Sequence, residues 1–253
     1  MRIVSARCLS LVLIGLAVGA SPNLAETVVD AAEASYREGS KALRTRDYAV
    51  AAAAFARAAE LKPDELDTWL KLGIARAGLK EWNGSIEAYR RAIEIDPRSA
   101  KAHHNLANVH FRRGAYEEAA EAYGRALEID PDYLLAAFHH GWTLRQLNRA
   151  EEAEAAFIRC LKIPAEGDRE NKTRADCVFG LGSIRHRAGD YAASAQAMEQ
   201  VVRVHPGHLE ARYYLGMAYR QLGRLEEARE QLEIHAQMLR TQRVPVPIEK
   251  PID

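Results

Sequence analysis

Between Glu65 and Trp82 the apolar and small side chains fall at Leu66, Trp69, Leu72, Gly73 and Ala75. That i, i+3, i+4 spacing is one face of an amphipathic helix. A break at Gly78–Trp82 follows, and a second helix is predicted from about Gly84 to Ile95. It stops at Asp96-Pro97, because proline just past a helix end cannot continue it. The same phrase then returns: "EAYRRAIEIDP" at Glu87–Pro97 becomes "EAYGRALEIDP" at Glu121–Pro131, 34 residues later.

Other positions keep the 34-residue step. Proline occurs at Pro63, Pro97 and Pro131, and glycine at Gly39, Gly73 and Gly141, with Ala107 standing in once. Aromatic side chains recur at Phe55, Tyr89, Tyr123 and Phe157, and small ones at Ala58, Ala92, Ala126 and Cys160. After Gly141 the step slips: Gly182 comes 41 residues on and Gly216 another 34 beyond it. The seven extra residues fall around "EGDRENKTR", Glu166–Arg174, whose polar composition predicts a loop.

"WLKLG" at Trp69–Gly73, the small Ser85, the aromatic Tyr89, Ala92 and Pro97, on this period, resemble the tetratricopeptide repeat (TPR) family. Six units are read, at about 32–65, 66–99, 100–133, 134–167, 175–208 and 209–242. The resemblance implies an all-α, right-handed superhelical solenoid of helix-turn-helix units. The units are not uniform. Ser35 and Glu38 stand in the first where Trp69 and Leu72 stand in the second, and Met198 and Leu232 replace the second-helix aromatic in the last two. The final helix, from about Leu225 through Leu239, is predicted to serve as the end cap a solenoid needs. The tail, residues 243–253, carries three prolines and is expected to be extended.

The N-terminus breaks the pattern. Arg2 and Arg7 precede an apolar run, Cys8–Ala20, followed by Ser21-Pro22. This reads as a secretory signal peptide over residues 1–25, cut after Ala20 or Ala25. The run is short for a membrane span, which needs about 20 apolar residues; an uncleaved anchor is the alternative, and membrane association is expected only in that case. A periplasmic protein is therefore expected. Elsewhere alanine is abundant and Val and Ile are scarce, which favours helix over strand. The 35 basic and 35 acidic residues cancel and no long basic run occurs, so no nucleic-acid partner is expected.

Motifs for catalysis are missing: there is no phosphate-binding Walker loop, nucleophile elbow or paired CxxC. "GLGS" at Gly180–Ser183 is better explained by the glycine step. Neither an enzyme nor a cofactor or metal centre is expected. The histidines of "HHNLANVH" (His103, His104, His110) and "FHH" (His139, His140) are the alternative, a metal- or small-ligand-binding accessory protein. By repeat position His103, His110 and His140 face inward and His104 faces the groove. An anchored assembly factor in envelope or cytochrome biogenesis is a further alternative, by analogy alone. Cys160 and Cys177 flank the insertion, one in the second helix of unit four and one in the first helix of unit five. A disulfide between them and a pair of buried thiols are both compatible with those places.

What the resemblance implies for function is a concave groove lined by the first helix of each unit. Carried onto this chain, it is lined by Lys101, His104, Asn108 and Arg112 from unit three, and by Phe138, Trp142 and Arg145 from unit four. Unit five adds Phe179, His186 and Arg187, and unit six Tyr213 and Arg220. Aromatic and arginine side chains are the mixture that dominates binding surfaces. The expected activity is thus non-enzymatic: a scaffold holding a peptide segment of a protein partner, with an acidic or carboxylate-bearing segment favoured.

Overall fold

The computed structural model describes residues 22–164 and 166–242, so the N-terminal apolar run and the proline-bearing tail lie outside the described residues. Among the described residues there are twelve α-helices and no strand. The first six are α1 (Pro22–Arg44), α2 (Tyr48–Leu61), α3 (Leu66–Gly78), α4 (Trp82–Ile95), α5 (Ala100–Arg112) and α6 (Tyr116–Ile129). The others are α7 (Leu134–Gln146), α8 (Ala150–Lys162), α9 (Asp168–Arg187), α10 (Tyr191–Val204), α11 (Leu209–Gln221) and α12 (Leu225–Gln242). They make an all-α helical-repeat solenoid of successive helix pairs. The chain divides into two compact units between Val109 and His110, inside α5.

The turn inside each pair is built the same way. One residue is left-handed in each: Arg46, Lys80, Gly114, Asn148, Gly189 and Gly223. Its N–H donates to the carbonyl three residues back, and the next N–H reaches five back, as Asn148 does to Arg145 and Arg149 to Leu144. This pattern satisfies the last carbonyls of the first helix and reverses the chain. The second helix then starts on a side-chain cap in two pairs. Asp47 accepts from the Val50 N–H at 3.2 Å, and Asp190 from the Ala193 N–H at 3.1 Å.

In the first unit the core has two layers. Phe55, Leu72, Ala75 and Ala88 form one; Leu70, Ile86, Tyr89, Ala92 and Val109 form the other. Ser85 is fully buried and its hydroxyl donates to the Gly73 carbonyl at 2.7 Å, so the polar group inside is satisfied. Tyr36 on α1 donates to Asp67 on α3, and Lys71 reaches both, its ammonium 3.0 Å from the Asp67 carboxylate.

In the second unit Phe157 on α8 is the central plug. Its ring lies against the backbone of Gly141 on α7 and of Gly180 on α9. A Cβ at Gly141 would sit 2.7 Å from the ring and one at Gly180 2.4 Å, so both helices approach only because no side chain intervenes. A second cluster, around Met198, Val201, Leu215 and Ala218, continues the core through α10 and α11.

The insertion is not the loop its composition predicts. Helix α9 begins at Asp168 and runs for 20 residues, so most of the polar stretch is helical. Asp168 and Glu170 favour the positive end of the helix, and the Glu170 carboxylate accepts the Glu166 N–H at 2.6 Å. Gly167, with φ of 118°, makes the turn that lets α9 start there. Cys160 on α8 and Cys177 on α9 are joined as a disulfide, with Cα atoms 6.5 Å apart.

Candidate functional site: an aromatic face on the second unit

The first helices of the last three pairs, α7, α9 and α11, carry a continuous run of rings. Phe138 meets Trp142 edge-on at 6.2 Å, one turn further along α7. The indole stacks on Phe179 of α9, with centroids 6.0 Å apart and planes 24° from parallel. Phe179 is covered in turn by His208 at 4.6 Å and by Tyr214 of α11 at 5.7 Å. Tyr214 closes on His186 of α9 at 5.2 Å and on Tyr213 at 5.9 Å. These distances lie in the range of favourable aromatic pairs.

Polar atoms are set into this face without hydrogen-bond partners among the described residues. The Arg145 guanidinium lies over the Trp142 indole, 4.3 Å from its centroid. Trp142 Nε1, Arg145 Nη1 and His186 Nδ1 are all buried and make no hydrogen bond among the described residues. Each such group costs about 1–3 kcal/mol relative to a satisfied one. Burial, and then the field of Arg187, hold the Arg145 pKa below its ordinary value. Neither Arg145 nor Arg187 has a carboxylate partner among the described residues. Arg149, Arg185 and Arg224, by contrast, each hold a glutamate: Glu152, Glu154 and Glu227.

The residues singled out in the sequence divide accordingly. Phe138, Trp142, Arg145, Phe179 and His186 come together, with Arg187 exposed beside them. Tyr213 joins through Tyr214. Arg112 and Arg220 are exposed. Lys101 is exposed and Asn108 half-buried; both belong to the first unit. His104 is a correction: it does not present its ring, being only 5% exposed. Leu70, at the same repeat position, is 4% exposed as well. Phe179 occupies the same position and is 6% exposed beneath His208 and Tyr214. Tyr213, in the last pair, is 44% exposed.

Two participants were not anticipated, Tyr214 and His208. Tyr214 follows Tyr213 directly, and the paired aromatics were the available signal. His208 caps α11 by accepting the Ala211 N–H at 3.1 Å, a role its place ahead of the helix could have suggested.

The histidine alternative gains no geometry. Among the described residues no three of His, Cys, Asp and Glu come together in a way that could hold a metal ion. Burial pulls both His104 and His140 from the ordinary 6.5 down to about 4. A folded-state pKa below the unfolded one means the unfolded chain binds more protons on acidification. Stability is therefore fully present above pH 6.5 and is lost as the pH falls toward 4. A melting series should show the midpoint falling across that window. The double variant His104→Gln with His140→Gln should flatten the dependence, and an equally steep fall in that variant would assign it to other groups.

The repeated helix pairs are those of a helical-repeat interaction scaffold. Four family models described as tetratricopeptide repeat or TPR repeat match residues 79–114, 100–133, 136–166 and 179–238. The chain belongs to the tetratricopeptide repeat family, a fold that in general is a protein-binding scaffold without catalysis of its own. It is similar in structure to YrrB, described as a TPR protein with an unusual peptide-binding site. That match has 20% identity and a TM-score of 0.62, covering 76% of this chain and all of YrrB. It also resembles a tetratricopeptide repeat protein of Parabacteroides merdae, at 16% identity and a TM-score of 0.68, covering 83% of this chain and 80% of that one. Pseudomonas aeruginosa pilF matches at 22% identity and a TM-score of 0.60, over 68% of this chain and 76% of its own. No curated sequence matches.

Proposed function

We propose that the chain holds an extended segment of a partner protein along the first-helix face of its second unit. The observation that carries this reading is the aromatic run Phe138–Trp142–Phe179–Tyr214, laid across three successive first helices. The half-buried rings of Phe138, Trp142 and Tyr214 provide contact area that loses little side-chain entropy on binding, with Phe179 packed behind them, and Arg145 and Arg187 add directional donors. The likeness in fold to YrrB, described as having a peptide-binding site, supports the same kind of ligand. We propose also that the chain works outside the reducing cytoplasm. The Arg2/Arg7-led apolar run and the Cys160–Cys177 bridge support that placement.

The test is a photo-crosslinking side chain at Phe138, with the exposed Ile158 on the second helix α8 as the control position. A single protein, captured from an extract of the source cells through one mapped segment, is expected from Phe138. The capture should disappear in Trp142→Ala and be absent from Ile158. Equal capture from both positions would remove the face from consideration.

A further inference from the structure

We propose that the patch around Trp142 is an oxyanion site, and that the bound segment presents a carboxylate to it beside a planar side chain. This rests on the peptide-binding reading and specifies the ligand's chemistry. Three groups on two helices carry it: Trp142 Nε1 and Arg145 Nη1 on α7, and His186 Nδ1 on α9. An indole N–H and a guanidinium can only donate, so whatever completes them must accept. The imidazole can join as a donor in the tautomer that protonates Nδ1.

The charge points the same way. Arg187 repels Arg145, and no carboxylate of the chain pairs with either among the described residues. An anion between them relieves that repulsion, and the planar fork of a guanidinium matches the two oxygens of a carboxylate. The first unit shows the opposite arrangement, where Lys71 is already held by Asp67 and Tyr36. The half-buried rings of Phe138 and Tyr214, backed by Phe179, offer stacking and edge contacts to a planar neighbour of the carboxylate. Access needs one movement. Arg145 Nη1 is covered, so the guanidinium must turn off the indole by a change of rotamer to meet an acceptor.

The carboxylate could belong to an acidic side chain or to a chain terminus, and three probes separate these. N-acetyl-Glu-Phe-amide carries only the side-chain carboxylate, N-acetyl-Gln-Phe only the terminal one, and N-acetyl-Gln-Phe-amide neither. Each is titrated into the full-length, nitrogen-15-labelled protein while the indole N–H signal of Trp142 is followed. The chain has three tryptophans, and Trp142→Phe assigns that signal.

At least one carboxylate probe should shift the signal at roughly millimolar concentration, at least about tenfold more tightly than the neutral amide. Arg145→Gln should weaken it by about tenfold, and Arg187→Gln, at an exposed position, by about threefold. Whichever of the two carboxylate probes binds more tightly identifies the source. Equal binding of the neutral amide, undiminished binding in both arginine variants, or no shift with any probe would each overturn the oxyanion site. Crosslinking from Phe138 that persists while the probes fail would leave the peptide-binding face standing without it.

Discussion

Phe157→Ala is expected to lower the stability of the second unit by about 3–5 kcal/mol, the cost of emptying an aromatic site in a packed core. The side chain is 0% exposed and sits between two helices as well as on its own. Gly141 and Gly180 bring backbone against its ring from α7 and α9, and Trp142 meets its edge at 5.8 Å. Such a site collapses poorly when emptied. Backbone cannot flow into the hole as a side chain would, and α8 is tied to α9 through Cys160 and Cys177. Urea unfolding followed by fluorescence measures the loss. Phe157→Leu should keep more than half of the stability, and a loss under about 1 kcal/mol for the alanine variant would contradict the packing described.

Removing the disulfide is expected to cost about 3 kcal/mol, the entropy of a closed loop of this size, since the cysteines are 17 residues apart. Cys160→Ala with Cys177→Ala is the cleaner variant, because serine would bury a hydroxyl where both sulfurs are fully covered. Hydrogen exchange should show the effect first in the early turns of α9, where the repeat period is broken. Combined with Phe157→Ala the losses should not add, since both changes loosen the same α8–α9 contact. Unchanged exchange in those turns after removal of the bridge would show that α9 is held by its own capping and packing alone.

Much of the fold was legible from the 34-residue step, because prolines, glycines and aromatics each mark the same geometric place in a pair. The left-handed turn residue keeps that step too, but its identity runs through Arg, Lys, Gly and Asn, so its role is visible only in the backbone. Composition misjudged Glu166–Arg174. The stretch is polar, yet after Gly167 it contains no glycine or proline, and its first-turn acids suit a helix start. Repeat position singled out Phe138, Trp142, Phe179 and His186, and the structure links them in one ring cluster. His104 was expected to line the groove and is 5% exposed; Phe179 at the same repeat position is 6% exposed and Phe138 there is half-buried, so repeat position alone does not fix exposure. Tyr214 shares its repeat position with Lys71, His139 and Gly180, so the repeat does not mark it, and its adjacency to Tyr213 was the cue to its part in the aromatic face.

The bridge across the irregular joint also matters when the protein is under tension. A repeat array pulled from its ends yields pair by pair, since each pair is held mainly by its neighbours. The 17 residue steps from Cys160 to Cys177 would add about 60 Å of contour if released, at roughly 3.5 Å each. Bridged, the same stretch spans 6.5 Å between Cα atoms and gives up none of that length. The joint with the least regular packing is thus the one that cannot lengthen, and a pulled chain extends elsewhere first.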